Sequence, residues 1–125
     1  MILVDTSIWI DHLNRGGVEQ LGVLLESAGV VMHRFVIGEI AMGSLKNRAA
    51  NLAFLRDLHR LPSASDAEVS ALIEWGKLHG TGLGYIDAHM LAAARASSDS
   101  EPAEIWTRDK RLHAQAERLG VAFHP

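Results

Sequence analysis

Three short apolar runs constrain the fold of this chain more than any other feature. They are Met1-Ile-Leu-Val4, Val30-Val31-Met32 and Ile105-Trp106-Thr107, each bounded by polar or glycine residues. Between them lie stretches long enough for helices, in which apolar residues recur at three- and four-residue intervals. Strands separated by helices do not pair as hairpins; they pair in parallel, through crossover connections. The expected fold is therefore α/β with a short, mainly parallel sheet, in a single domain spanning residues 1–125. The spacing predicts helices over Ser7–Leu13, Val18–Ser27, residues 35–43, Asn47–His59, Tyr85–Ala96 and Asp109–Leu119. Another begins behind Ser65-Asp-Ala-Glu68, a sequence of capping-box form. Leu61-Pro62 reads as a short edge strand, Val121-Ala-Phe123 as a last strand, and Ser97–Glu104 as an exposed loop.

Composition narrows the class further. With 48% hydrophobic residues the chain has the makings of a packed core and is not intrinsically disordered. No apolar run approaches the length a bilayer demands, so no membrane span is expected and the expected location is the cytoplasm. Without cysteine there is neither a disulfide nor a thiolate metal site. The formal net charge of −3 argues mildly against a constitutive nucleic-acid binder, unless acids are gathered at one place and leave basic residues to dominate elsewhere.

Four acids stand out by position. Asp5 ends the first strand, Glu39 interrupts the apolar stretch FVIGEIAMG, Asp87 lies near the start of an alanine-rich helix, and Asp109 follows the Ile105–Thr107 strand. Taken singly, Asp5 and Asp109 are helix caps and Asp87 complements a helix dipole. Glu39 is harder to assign, since a carboxylate among Ile37, Ile40 and Met42 needs either a wet stripe or a pocket. Taken together, all four lie at or soon after helix starts. Parallel strands would bring them to the carboxyl edge of the sheet, where open α/β sheets bind ligands. Carboxylates so grouped repel one another without cations, and an all-oxygen donor set suits Mg²⁺, with Mn²⁺ as a substitute.

In order along the chain, Asp5-Thr6-Ser7, FVIGEIAMG, Asp87-Ala-His-Met-Leu-Ala-Ala-Ala94 and Trp106-Thr107-Arg108-Asp109 resemble the four acidic motifs of the PIN domain family, in particular VapC-type toxins of bacterial toxin–antitoxin pairs. The resemblance runs from Met1 to about Val121. It implies a three-layer α/β/α fold and a Mg²⁺- or Mn²⁺-dependent endoribonuclease, with Asp5, Glu39, Asp87 and Asp109 as metal-site and catalytic acids. It implies as well an RNA substrate, a cognate VapB-type antitoxin and a homodimer. Thr6, Ser7 and Thr107 would hydrogen-bond the carboxylates or the phosphate, or cap their own helices. Arg108, Lys110 and Arg111 would steer the RNA backbone, or serve as a solvated helix end. Lys46 and Arg48 read as ordinary surface charges.

The chain departs from the family pattern at Phe35 and Val36, where many members carry a Ser or Thr that supports the second acid. It departs again at Leu112, where an aromatic is common. The other reading is a non-catalytic acidic pocket, either a receiver-like phosphoacceptor or an RNA-binding PIN module without activity. Receivers pair two early acids and carry a late lysine, whereas here Thr6 and Ser7 follow Asp5. A D-x-D phosphatase is disfavoured by Ser7. Gly80, Gly82 and Gly84 follow a helix and do not form a dinucleotide fingerprint. The seven histidines show no tight ligand spacing in the sequence, and His89 is expected to pack rather than to ligate. Trp9, Phe35 and Phe54 are expected in the core or in subunit contacts.

Overall fold

The computed structural model describes residues 1–97 and 102–125. Its elements run β1 (Ile2–Val4), α1 (Thr6–Asn14), α2 (Glu19–Glu26), β2 (Val30–Val31), α3 (Arg34–Met42), α4 (Arg48–Asp57), α5 (Asp66–Trp75), α6 (Tyr85–Arg95), β3 (Glu104–Trp106) and α7 (Lys110–Arg118). The three strands form one parallel sheet in the order β2-β1-β3. The architecture is three-layer α/β/α. Part of the predicted Ser97–Glu104 loop lies outside the described residues; its end is β3, and Ala103 N–H donates to Ser97 Oγ at 2.9 Å.

The first strand occupies the middle of the sheet because the chain leaves β1 for β2 on one side and returns for β3 on the other. The strand order thus reverses beside β1, and the crevice of the sheet opens beyond Val4, at Asp5. The pairing continues one step past the strand ends, with Asp5 N–H donating to Trp106 O at 2.9 Å.

Two expected strands shrink to single bridges. Arg60 pairs with Met32, through bonds from Met32 N–H to His59 O (2.8 Å) and from Leu61 N–H to Met32 O (2.9 Å). Pro62 follows with no N–H to donate, so the ladder stops there. At the other edge, Ala122 bridges Ile105 alone.

The strand side chains are buried on both faces, which is why these segments read as continuous apolar runs rather than alternating ones. Leu3, Val4, Val31 and Ile105 form the centre of the core. Ile8, Trp9, Leu21, Val36, Ile40, Leu55, Val69, Met90, Leu91, Leu112 and Ala116 close in from the helices. The alanines of α6 are buried from Ala88 to Ala94 apart from larger neighbours between them, so this helix can lie close to both β3 and α5. The predicted capping box is present: Glu68 N–H donates to Ser65 Oγ and Ser65 N–H to Glu68 Oε1, each at 3.1 Å. Of the aromatics expected inside, Trp9 is fully buried and Phe35 half-buried. Phe54 is 42% exposed, and its place is the rim of the core, edge-on to Trp9. Arg48 proves to be more than a surface charge, since it donates to Ala41 O (2.6 Å) and Gly43 O (3.3 Å) at the end of α3.

Candidate active site

The four acids arrive from four different helices, and each is held by the local chemistry of a helix end or face. Asp5 is the N-cap of α1, its Oδ1 accepting from Thr6 N–H at 2.8 Å. Asp109 is the N-cap of α7, its Oδ1 accepting from Arg111 N–H (2.8 Å) and Leu112 N–H (3.1 Å). Asp87 lies in the first turn of α6 and reaches back with Oδ2 to Gly84 N–H at 3.2 Å. The capping and grouped-acid readings are thus compatible, because capping is what orients these carboxylates. Asp109 Oδ2 and Asp87 Oδ1 keep no protein partner among the described residues.

Glu39 sits on the exposed face of α3, where its Oε1 accepts from the hydroxyl of Thr6 at 2.8 Å. The support that Phe35 and Val36 cannot give from within α3 comes from α1 instead. Thr107 links two of the acids. Its buried hydroxyl donates to Asp5 Oδ2 at 2.7 Å and accepts from Asp109 N–H at 3.0 Å. Ser7 is exposed.

Asp87 lies near enough to the other three acids to feel their charges. Partial burial pushes the carboxyl of Asp87 above its ordinary range, against the Gly84 N–H that favours its charge, and the charges of Asp5, Asp109 and Glu39 raise it further. No lysine or arginine forms an ion pair with any of the four among the described residues. Arg108, expected near the site, turns to Asp11 on α1 at 3.1 Å. Asp11 escaped the sequence reading, because nothing local marks a contact between residues so far apart in the chain. Arg111 packs over Gly82 so closely that a Cβ there would come within 2.9 Å of its guanidinium, and Gly82 also has φ +87°. That glycine fits Arg111 against the loop that leads into Asp87.

An all-oxygen, uncompensated donor set of this kind fits a hard divalent cation such as Mg²⁺ or Mn²⁺, which usually keeps several waters and takes few carboxylates directly. The acids are not packed to direct ligand spacing. Among the described residues, the one trio of ligating side chains with donor atoms all within 4.8 Å of one another is His113, Glu117 and His124. This corrects the expectation that the histidines lack ligand spacing. His113 and Glu117 are one helical turn apart in the sequence, but His124 joins them only when the chain returns beside β3. His89, as expected, is packed: it is 2% exposed, with Phe35 and Tyr85 edge-on at 4.7 Å.

Comparison with known proteins bears on the family and the fold. A family model described as PIN domain matches residues 2–118. Ribonuclease VapC32 of Mycobacterium tuberculosis, from two strains, is 42% identical over 123 residues, covering 98% of this chain and 96% of the relative. The crystal structure of PAE2754 from Pyrobaculum aerophilum superposes with a TM-score of 0.60 at 18% identity, over 95% of this chain and 94% of the other, a likeness of fold.

Proposed function

The chain belongs to the PIN domain family, and from that membership we propose that it is a metal-dependent endoribonuclease toxin of the VapC type. The observation that supports the reading is that Asp5, Asp109 and Glu39 lie near enough to Asp87 for their charges to add to the burial that raises its carboxyl, with no lysine or arginine ion-paired to any of the four among the described residues. In this proposal the four acids hold Mg²⁺, with Mn²⁺ able to replace it. A divalent cation there supplies positive charge to the phosphate oxygens and eases loss of a proton from the attacking water.

The chain's own residues do the positioning. Thr6 holds Glu39, Thr107 holds Asp5 and the Asp109 backbone, and the caps leave Asp87 Oδ1 and Asp109 Oδ2 for the cation or its waters. Lys110 and Arg111, exposed at the start of α7, draw the RNA backbone in; Arg108 contributes by fixing α1 through Asp11. In-line attack by water leaves a 5′-phosphate and a 3′-hydroxyl. A VapB-type antitoxin that covers the acids, and action in the cytoplasm, belong to the same proposal. They are supported by the likeness to a VapC ribonuclease and by the lack, among the described residues, of a helix long and apolar enough to cross a membrane. A homodimer is supported by Trp75, 65% exposed beside the apolar groove between α5 and α6.

The test is cleavage of a panel of structured RNAs in Mg²⁺, in Mn²⁺ and in chelator. The wild type should cut only with metal, and Asp5→Asn and Asp87→Asn should each lose at least a hundredfold in rate, about 2.7 kcal/mol of barrier. Cleavage that survives chelator, or 2′,3′-cyclic phosphate ends, would exclude the mechanism.

A further inference from the structure

A second, chemically different group of ligand-type side chains lies along α7 and beside its end. His113 and Glu117 are one turn apart on this helix, with His113 Nε2 at 2.9 Å from Glu117 Oε1. His124, just beyond the Ala122–Ile105 bridge, brings its own Nε2 to 3.7 Å from the same oxygen. The two imidazole rings stand at 90° with centroids 5.2 Å apart, and the Nε2 of each approaches the same carboxylate oxygen. All three donor atoms lie within 4.8 Å of one another. Ligands on a tetrahedral zinc ion at about 2.0–2.1 Å are separated by about 3.3 Å, which falls between the two measured contacts.

We propose that His113, Glu117 and His124 bind a zinc-class divalent cation, with water in the fourth position. Two imidazoles and one carboxylate form a donor set suited to Zn²⁺ and its first-row neighbours, whereas Mg²⁺ favours oxygen ligands alone. The three side chains are partly exposed, at 32, 51 and 66%, and Glu117 and His124 border a surface depression also lined by Glu104, Gly120 and Ala122, so a cation reaches them without opening the core. Glu117 is eight residues along the helix from Asp109, about 12 Å at the rise of an α-helix. His113 stands nearer, four residues and about 6 Å from Asp109, whose carbonyl its N–H bonds, so the two sites are neighbours along one helix that differ in donor set. The proposed cation would staple the segment around His124 to α7, across the edge of the sheet where only a single bridge holds it.

The test is thermal unfolding of the full chain with ZnCl₂ and with MgCl₂, using Asp5→Asn as the parent so that the acidic cluster is weakened throughout. Zinc at a hundred times its dissociation constant should raise Tm of the parent by about 10 °C, and MgCl₂ should leave it unchanged. Adding His113→Ala or His124→Ala should abolish the zinc shift with little change in the metal-free unfolding curve, since His124 is exposed and His113 partly so. A zinc shift that persists in both histidine variants, or a parent that ignores zinc, overturns the proposal. Wild type shifted by zinc beside an unresponsive Asp5→Asn parent would assign the ion to the acidic cluster, and that too overturns it.

Discussion

At the scale of single residues, the hydroxyl of Thr107 does more than any other neutral group near the acids. It is buried, donates to Asp5 Oδ2 and accepts from the N–H of Asp109. Thr107→Val keeps the shape and strands both partners. The expected cost is about 1–3 kcal/mol, from the lost hydrogen bond to the Asp5 carboxylate and the partly buried Asp109 N–H left unpaired, and urea unfolding against wild type measures it. Activity should fall with it, because two of the four acids lose their orientation. The acids themselves were legible in the sequence, since each follows an apolar strand or a glycine turn, or interrupts an apolar helix. The ties of Thr6 to Glu39 and of Arg108 to Asp11 were not, because they join residues brought together only by the packing of α1 against α3 and by the pairing of β1 with β3.

Helix α3 shows how an element can carry a cost of its own. Its N-cap is His33, whose Nδ1 accepts from Phe35 N–H at 3.0 Å, which places the ring proton on Nε2. That Nε2 is buried without a hydrogen-bond partner, and burial, with further contributions from His89 and Arg34, lowers the His33 pKa from 6.5 to about 4. The unfolded chain therefore binds a proton that the folded chain refuses. His33 contributes stability that is complete above pH 6.5 and is lost as pH falls towards 4, at most roughly 3 kcal/mol. Asp87 acts in the opposite sense, since its raised carboxyl favours the folded state as pH falls. Urea midpoints measured from pH 7 to pH 4 should drop more steeply for wild type than for His33→Asn, in which the cap is kept and the titrating ring removed. Parallel curves would show that His33 is solvated in solution. At this scale the sequence located every helix to within a residue or two. It overstated the edge strands, because apolar character marks a segment as buried without saying how many ladder bonds its neighbour can offer.

For the whole molecule, the proposed metal site predicts that stability depends on divalent ions. If the four carboxylates share a cation, saturation at a hundred times the dissociation constant stabilises the fold by about 2.7 kcal/mol. Thermal unfolding with and without MnCl₂ should show that gain in wild type. Asp5→Asn should be more stable than wild type in metal-free buffer, through relieved repulsion, and should respond far less to the ion. Identical behaviour of the two proteins would leave Asp5 as a helix cap alone. The three-layer fold was readable from the alternation of short apolar runs with helical spacing. The central place of β1 was not, because strand order is decided by which crossovers pack, a property of the whole chain.

That central place has a consequence for the making of the protein. Residue 5 leaves the ribosome early, yet its hydroxyl partner is residue 107 and its last acidic neighbour is residue 109. At translation speeds of about 5–20 residues per second, a chain spends about 1–4 seconds with three of the four acids synthesised and the fourth still to be made. Any activity that needs all four acids together is thus withheld by topology until Asp109 has been made.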